Sequence, residues 1–221
     1  MNWYIQYKES MALPEVKNHY PYESFKPEGL KYLDERLTPE KAENLLKEKE
    51  VEYLGSGGRG VAYGLGDKTV AKFTKDRDEA KTAKIIMTKQ KGGKPLPGMV
   101  YVYNVEDISD QIIKKSFDEI LYRVTIEKVS PLTEEQKTLF SHKYGLIESI
   151  MREDPKISNE KVIERLWTKF SEQEEFFIDI LINFIRIIET NYLDTDIYTE
   201  NVGLRNGNEM VVLDLGSVEF K

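Results

Sequence analysis

Three groups of residues in this sequence could contact an anion or a metal ion. The first is the run Gly55-Ser56-Gly57-Gly58-Arg59-Gly60, which stands between two β-prone segments. Because glycine has no side chain, the backbone N–H groups of such a loop can approach the oxygens of a phosphate. A glycine-rich turn between two strands has the same composition. The run alone therefore leaves both a phosphate loop and a plain turn open.

The second group combines a lysine with an acid. Lys72 lies in the apolar, β-prone run 69–73, where an ammonium group is costly unless it meets an anion. Phosphates under the glycine run and an acid on the following helix are the two anions that the sequence offers. Glu79 is the candidate acid and Asp78 is the alternative. On an edge strand, Lys72 could instead point to water.

The third group provides oxygen ligands. Asp196 and Asn201 are five residues apart in a loop, and Asp214 follows the apolar run 211–213. Carboxylate and amide oxygens are hard ligands that suit Mg²⁺, which completes its shell with water and substrate phosphates. Asp and Asn also favour turns for their own hydrogen bonds. Each residue taken singly is explained by a turn, whereas the three together favour a metal site.

The elements that must position these groups follow from hydrophobic periodicity and turn residues. In the first half we predict strands over 51–54, 61–65, 69–74, 99–105 and 120–129, and a helix over 76–88. Gly66-Asp67-Lys68 is a tight hairpin turn. Thr38-Pro39-Glu40 has the residue types of a helix start, and that helix should end near residue 49.

Helices dominate the second half. We predict them over 133–142, 145–152, 159–170 and 172–190, the last beginning with the capping box Ser171 to Glu174. A hairpin turn at 206–208 should join strands over 202–205 and 210–213. The chain therefore divides into an extension at 1–49, a β-rich part at 50–129 and a mostly helical part at 130–221. The fold class expected is α+β.

Taken in order, these groups carry a resemblance. The glycine run, Val70-Ala71-Lys72, Glu79, the Asp196 to Asn201 spacing and Asp214-Leu215-Gly216 resemble the signature motifs of the protein-kinase-like superfamily. The resemblance covers about residues 50–216. It implies a bilobal fold, with an antiparallel β N-lobe and a reduced, mostly helical C-lobe that holds the catalytic loop and a metal-binding hairpin.

The resemblance also implies roles for the matching residues. Lys72 would hold the ATP α- and β-phosphates while paired with Glu79, and Asp196 would orient or deprotonate the attacking hydroxyl. Asn201 and Asp214 would hold Mg²⁺. The other nucleotide contacts would come from the loop, from the strands beside it and from the hinge main chain that meets adenine: Gly55, Ser56, Gly57, Gly58, Gly60, Ala62, Val70, Glu127 and Val129.

The sequence departs from the kinase pattern at several positions. Asp194 stands where the family usually has His or Tyr, Thr195 where it has Arg, and Tyr198 where many Ser/Thr kinases have Lys. Gly216 is followed by five residues, too few for an activation segment or the helices after it. The chain therefore resembles a minimal or atypical kinase, like the small kinase-like proteins of bacteria, their secreted effectors and their phages.

The function expected is that of a compact protein kinase, which uses ATP and Mg²⁺ to phosphorylate a protein substrate of unknown identity. Serine and threonine are favoured over tyrosine as acceptors. One alternative is a small-molecule kinase of the same superfamily, of the antibiotic or sugar type. The other is a pseudokinase, an interaction module that binds a nucleotide without transferring phosphate.

Composition narrows the remaining chemistry. The 221 residues include no cysteine and two histidines, which excludes disulfides, thiolate zinc sites and a Cys nucleophile. The net charge of −7 argues against a general nucleic-acid binder. The first ten residues lack the pattern of a secretory signal, and the apolar stretch 176–188 is too short to span a bilayer. We expect a soluble cytoplasmic protein of the producing cell or, for an effector, of its host, with neither nucleic acid nor membrane as a partner.

Overall fold

A five-stranded antiparallel sheet forms from the β-prone runs of the first half. The computed structural model describes residues 51–56, 60–109, 121–195, 197–216 and 218–221, together with Ala42, Asn44 and Leu46. The strands are β1 (Val51–Ser56), β2 (Gly60–Leu65), β3 (Thr69–Thr74), β4 (Val102–Asp107) and β5 (Tyr122–Glu127), in the order β1-β2-β3-β5-β4. The predicted strand over 99–105 begins three residues later than expected. Residues 98–100 bond to a strand of the second half instead, through Val100 N to Val212 O at 3.2 Å and Val212 N to Gly98 O at 2.9 Å.

Helix α1 (Arg77–Lys89) connects β3 to the segment before β4. Asp76 caps it, because its carboxylate accepts hydrogen bonds from the amides of Asp78 at 2.9 Å and Glu79 at 3.3 Å. The helix buries Ala80, Ala83 and Ile86 in the main core. Its start is therefore fixed against the sheet both by the cap and by its apolar face.

The second half contains the helices α2 (Glu134–Glu153), α3 (Asn159–Arg165) and α4 (Glu172–Asn191). Helix α4 carries the predicted capping box of Ser171 and Glu174, and its apolar face forms the centre of the core. In the part of the chain that the structure describes, no helix combines the length and the apolar character needed to cross a membrane.

Short strands complete the second half: β6 (Ser130–Pro131), β7 (Tyr192–Asp194), β8 (Val202–Arg205), β9 (Glu209–Val212) and β10 (Glu219–Phe220). They form a three-stranded sheet in the order β6-β8-β9 and a separate pair of β7 with β10. The predicted hairpin at 206–208 is present, with positive φ at Asn206 (51°) and Gly207 (74°), as its turn type requires.

Two clusters of buried side chains hold these layers together. The larger one joins α1, the first sheet, the three helices of the second half and the second sheet. The smaller one covers the other face of the first sheet and includes Ala42, which is fully buried. Ala42, Asn44 and Leu46 are helical, in agreement with the predicted helix, and the other residues of the predicted extension at 1–49 lie outside the described part.

The architecture confirms the expected α+β class. Within the described residues, strands and α1 dominate the first half from residue 51, and helices with short strands make up the second. The order of elements, with a glycine-containing hairpin, a lysine-bearing third strand and a helix before the helical half, is the order that the resemblance implies.

Candidate active site

Lys72 lies in the middle of β3, paired with Ala62 on β2 and Val124 on β5. Its ammonium Nζ forms an ion pair with the carboxylate of Glu79 and lies 3.4 Å from Oδ1 of Asp214. A quarter of the side chain is exposed. Because β3 is an inner strand of the sheet, Lys72 does not lie on an edge, and its ammonium faces an acid from each half of the chain.

The capped start of α1 decides which acid meets Lys72. Glu79 lies in the first turn and only 3% of it is exposed. Asp78, the alternative considered from the sequence, is exposed. The helix therefore turns Glu79 towards the sheet and Asp78 towards solvent.

Burial and charge act against each other on this pair. Burial alone would lower the pKa of Lys72, but the negative charges of Glu79 and Asp214 outweigh it and raise that pKa above its ordinary value. Burial raises the pKa of the Glu79 carboxyl, and the adjacent ammonium limits that increase. Lys72 is therefore positively charged at neutral pH, as a group that binds phosphate needs to be.

Asp214 and Asn201 are brought together by the second sheet. The amide of Leu213, just before Asp214, donates to the carbonyl of Asn201 at 2.7 Å. Oδ1 of Asp214 accepts from the amide of Gly216 at 3.3 Å, and 42% of the Asp214 side chain is exposed. A Cβ placed on Gly216 would lie 3.5 Å from the Asp76 carboxylate. The Asp-Leu-Gly segment thus lies against the start of α1.

Gly55 and Gly60, the two described glycines of the glycine run, are required for different structural reasons. Gly55 has φ of +153° at an irregularity in the β1–β2 pairing. Gly60 allows close packing of β2 on β3, since a Cβ there would lie 2.5 Å from the carbonyl oxygen of Phe73. Ser56 accepts a hydrogen bond from Tyr53 at 3.0 Å. Gly57 and Gly58 lie outside the described residues.

The remaining predicted nucleotide contacts are distributed over the first sheet and the segment that follows β5. Ala62 and Val70 are on adjacent strands of the first sheet, and both join the main core. Val129 packs closely on the second sheet, because a Cβ on Gly203 would lie 2.6 Å from its Cγ2 atom. The amide of Glu127 donates to the carbonyl of Tyr101 at 2.9 Å, so it is already engaged.

Asp196, the predicted catalytic residue, lies outside the described residues, so its role stays a prediction. The described residues beside it place the loop after β7. Tyr198, two positions further on, is 63% exposed. Leu193, on β7, is 65% exposed. Large side chains are therefore exposed at described positions on both sides of residue 196 in the sequence.

The side-chain oxygens of Asn201 and Asp214 suit a magnesium ion whose remaining ligands come from a nucleotide and water. Within the described residues, no cluster of three or more His, Cys, Asp or Glu side chains could hold a metal alone. Asn201 and Asp214 supply an amide and a carboxylate oxygen from adjacent segments. Mg²⁺ commonly takes one or two protein ligands and fills its shell with water and phosphate oxygens. These two residues could therefore hold Mg²⁺ together with ATP.

Sequence reasoning did not identify two residues that organise this region. Asp76 caps α1, and an Asp directly before a helical pattern could have indicated it. Arg205 is 8% exposed and pairs with both Glu127 and Glu209. A single Arg in the short run 202–205, directly before a hairpin turn, gives no local sign of those partners.

Comparison with known proteins finds similarity at the level of solved structures. No protein-family model matches the chain, and no curated protein matches its sequence. The similar structures include aminoglycoside phosphotransferase APH(2'')-Ib bound to ADP, with a TM-score of 0.34, 15% identity and coverage of 82% of this chain and 70% of that one. The streptomycin–ATP complex of APH(2")-IIa has a TM-score of 0.34, 16% identity and coverage of 83% and 72%. The GDP complex of a mutant of the aminoglycoside 2'-phosphotransferase IIIa has a TM-score of 0.39, 14% identity and coverage of 79% and 68%.

Proposed function

We propose that this protein is an ATP-dependent phosphotransferase. The observation that supports it most directly is the position of Lys72, whose ammonium is held between the carboxylates of Glu79 and Asp214. Glu79 comes from α1 in the first half of the chain, and Asp214 comes from the segment after β9 in the second half. A charged lysine held in this way, beside a glycine-containing hairpin, suits the binding of nucleotide phosphates. The nucleotide would lie between residues 50–129 and 130–221.

Each residue of the site has a distinct part in this proposal. Lys72 donates hydrogen bonds to phosphate oxygens, and Glu79 keeps its ammonium in place. Asn201 and Asp214 would hold Mg²⁺, which, when bound, neutralises the charge that develops on the transferred phosphoryl group. Asp196 would orient the acceptor hydroxyl and accept its proton.

The main hypothesis for the acceptor is a protein hydroxyl, on serine or threonine in preference to tyrosine. The alternative, a small molecule with hydroxyl groups, is the better supported of the two acceptors. The solved structures similar to this chain bear the name aminoglycoside phosphotransferase, so aminoglycosides are the small molecules to test first. A pseudokinase would bind the nucleotide and transfer nothing.

The test is a transfer assay with γ-labelled ATP and Mg²⁺. Purified protein is incubated with a lysate and, separately, with a panel of aminoglycosides, beside the variants Lys72→Ala and Asp196→Ala. Lys68→Ala, in the exposed turn between β2 and β3, is the matched control. We expect label on an acceptor with the wild type and the control, and none with the two site variants.

The acceptor that becomes labelled decides between the two classes of substrate. Label on proteins supports the main hypothesis, and label on aminoglycosides supports the alternative. Nucleotide-dependent stabilisation without transfer would indicate a pseudokinase. A chain that neither binds Mg-ATP nor transfers phosphate would contradict the proposal.

A further inference from the structure

Arg205 is a buried cation at the boundary between the two sheets. It lies at the end of β8, and its guanidinium contacts three groups. Nε donates to both carboxylate oxygens of Glu127, at 3.0 and 3.1 Å. Nη2 donates to the carbonyl of Met99 at 2.7 Å, and Nη1 to Oε1 of Glu209 at 2.7 Å.

These partners belong to different parts of the fold. Glu127 ends β5 of the first sheet, and Glu209 begins β9 of the second. Met99 lies in the segment before β4 and bridges to Val212 on β9. One guanidinium therefore joins the last residue of β5, the segment before β4 and the hairpin of the second sheet.

Hydrogen bonds of Glu127 connect Arg205 further to the first sheet. Oε1 of Glu127 also accepts from the amide of Tyr101 at 2.7 Å, and the amide of Glu127 donates to the carbonyl of Tyr101. The segment before β4 is held from the other side as well, since the hydroxyl of Tyr192 donates to the carbonyl of Pro97 at 2.7 Å. The orientation of Glu127, two residues before Val129, is thus linked to the second sheet through Arg205.

The chemistry of this contact favours a role in geometry over one in stability. Burial of an ion pair costs desolvation free energy that the attraction of the two charges largely offsets. The planar guanidinium nevertheless fixes the direction of each hydrogen bond, which the flexible ammonium of a lysine cannot do. A pair of this kind therefore contributes a defined separation more than a large gain in folding free energy.

We propose that Arg205 is a positioning residue that sets the separation of the two sheets on either side of the candidate site. Its consequence for nucleotide affinity rests on the function proposed above. A chain without this contact would sample several separations, and only some of them would bring Val129 and Lys72 to the same nucleotide. The apparent Kd for Mg-ATP would then rise in inverse proportion to the competent fraction.

The experiment measures the separation and the affinity independently. Because the chain has no cysteine, the substitutions Asp67→Cys and Lys161→Cys allow spin labels at two exposed positions, one in each half. Their distance distribution is recorded by electron spin resonance in the full chain without nucleotide. The Kd for Mg-ATP is measured by calorimetry on the unlabelled protein.

The main variant is the double substitution Glu127→Gln with Arg205→Met, which removes the contact without leaving a buried charge unpaired. Arg205→Lys keeps the charge and loses the planar group. The matched control is Arg123→Gln, since Arg123 pairs with Glu106 inside the first sheet. Circular dichroism and thermal unfolding identify the temperature range in which every variant is folded.

We expect the double variant to broaden or shift the distance distribution and to raise the Kd about tenfold, the result of a competent fraction near one tenth. Arg205→Lys should show a smaller change in both, and Arg123→Gln should change neither. An unchanged distance in the folded double variant would overturn the inference, whatever its affinity. An altered distance with unchanged Kd would overturn its link to the nucleotide. If the wild type binds no Mg-ATP, the proposed function fails, and the distance measurement still decides whether Arg205 positions the sheets.

Discussion

Lys72 illustrates how the neighbours of a side chain give it a chemical role. It stands on a strand whose adjacent residues are buried, and its charge is retained because Glu79 and Asp214 face it. The two acids are not equivalent, since Glu79 is almost fully buried and Asp214 is partly exposed. Glu79 is therefore suited to holding the ammonium, and Asp214 to contacting a ligand.

Replacement of Lys72 tests this division directly. We expect Lys72→Met to reduce phosphoryl transfer by about 100-fold or more, the usual effect of removing a preorganised charged donor from a reaction site. The variant leaves Glu79 buried without its cation, so the double variant Glu79→Gln with Lys72→Met should be the more stable of the two. Transfer rates and urea unfolding measure the two effects. Wild-type activity in Lys72→Met would contradict the assignment of this lysine.

Two tyrosines provide a test of the packing that is independent of function. Burial raises the pKa of Tyr192 to about 12, and burial together with the nearby acids Glu148 and Glu189 raises the pKa of Tyr144 to about 12. The folded state thus favours the protonated phenols. The stability that they contribute is fully present below the ordinary pKa of 10.0 and is lost as the pH rises through about 12.

The titration of tyrosinate absorbance measures this effect. We expect a phase near pH 12 that Tyr192→Phe reduces. Unfolding free energy should fall less steeply with pH in Tyr192→Phe than in the wild type above the ordinary tyrosine pKa. A late phase of the same amplitude in Tyr192→Phe would show that this phenol is not buried as described.

At the scale of elements, glycine acts differently at different positions. The sequence predicted two helices, over 133–142 and 145–152, but α2 continues from Glu134 to Glu153. The loss in helix propensity at Gly145 is outweighed by the burial of Phe140, Ile147 and Met151 on one face. In contrast, the helix predicted over 159–170 is shorter in the structure, because α3 ends at Arg165. Trp167, two residues later, has a positive φ of 52°, which a helix cannot continue through.

Alanine at two glycines should therefore have opposite effects. A Cβ on Gly145 would meet no atom within 4 Å, so Gly145→Ala should stabilise the protein by about 0.5–1 kcal/mol. Gly98 has φ of +70°, and its Cβ would lie 2.9 Å from Ile187. Gly98→Ala should destabilise it by about 1–2 kcal/mol from the backbone conformation alone. Urea unfolding compares both with the wild type, and stabilisation by Gly98→Ala would contradict the packing of that segment.

One strand prediction was wrong in its bounds because the strand pairs with residues that are distant in the sequence. The predicted strand at 99–105 had the right composition, yet its first residues pair with β9 and only the later ones enter the first sheet. Periodicity shows which residues prefer an extended backbone, and it contains no information about which strand they will meet. The helix α4 was predicted well because its capping box and its apolar face are both local features.

At the scale of the whole molecule, the candidate site combines Lys72 of the first half with Asp214 of the second. Binding of Mg-ATP should therefore stabilise the full chain, by about 2.7 kcal/mol at a ligand concentration of one hundred times Kd. Removal of Mg²⁺ with a chelator should abolish part of this stabilisation. In Asp214→Asn, the nucleotide should still give the stabilisation that does not depend on Mg²⁺. The additional stabilisation that depends on Mg²⁺ should be absent. Thermal unfolding with and without the chelator measures both, and an Asp214→Asn variant with a full Mg²⁺ response would exclude Asp214 as a ligand.

The sequence by itself determined the types of the elements, their order and the residue types available for chemistry. Those follow from hydrophobic periodicity, caps, turns and the absence of cysteine, all of which are local or compositional. Only the tertiary structure decided that Glu79 and not Asp78 meets Lys72, and that Arg205 joins Glu127 to the second sheet. The physical reason is that a contact between distant residues depends on how their elements pack and on the direction that packing gives each side chain.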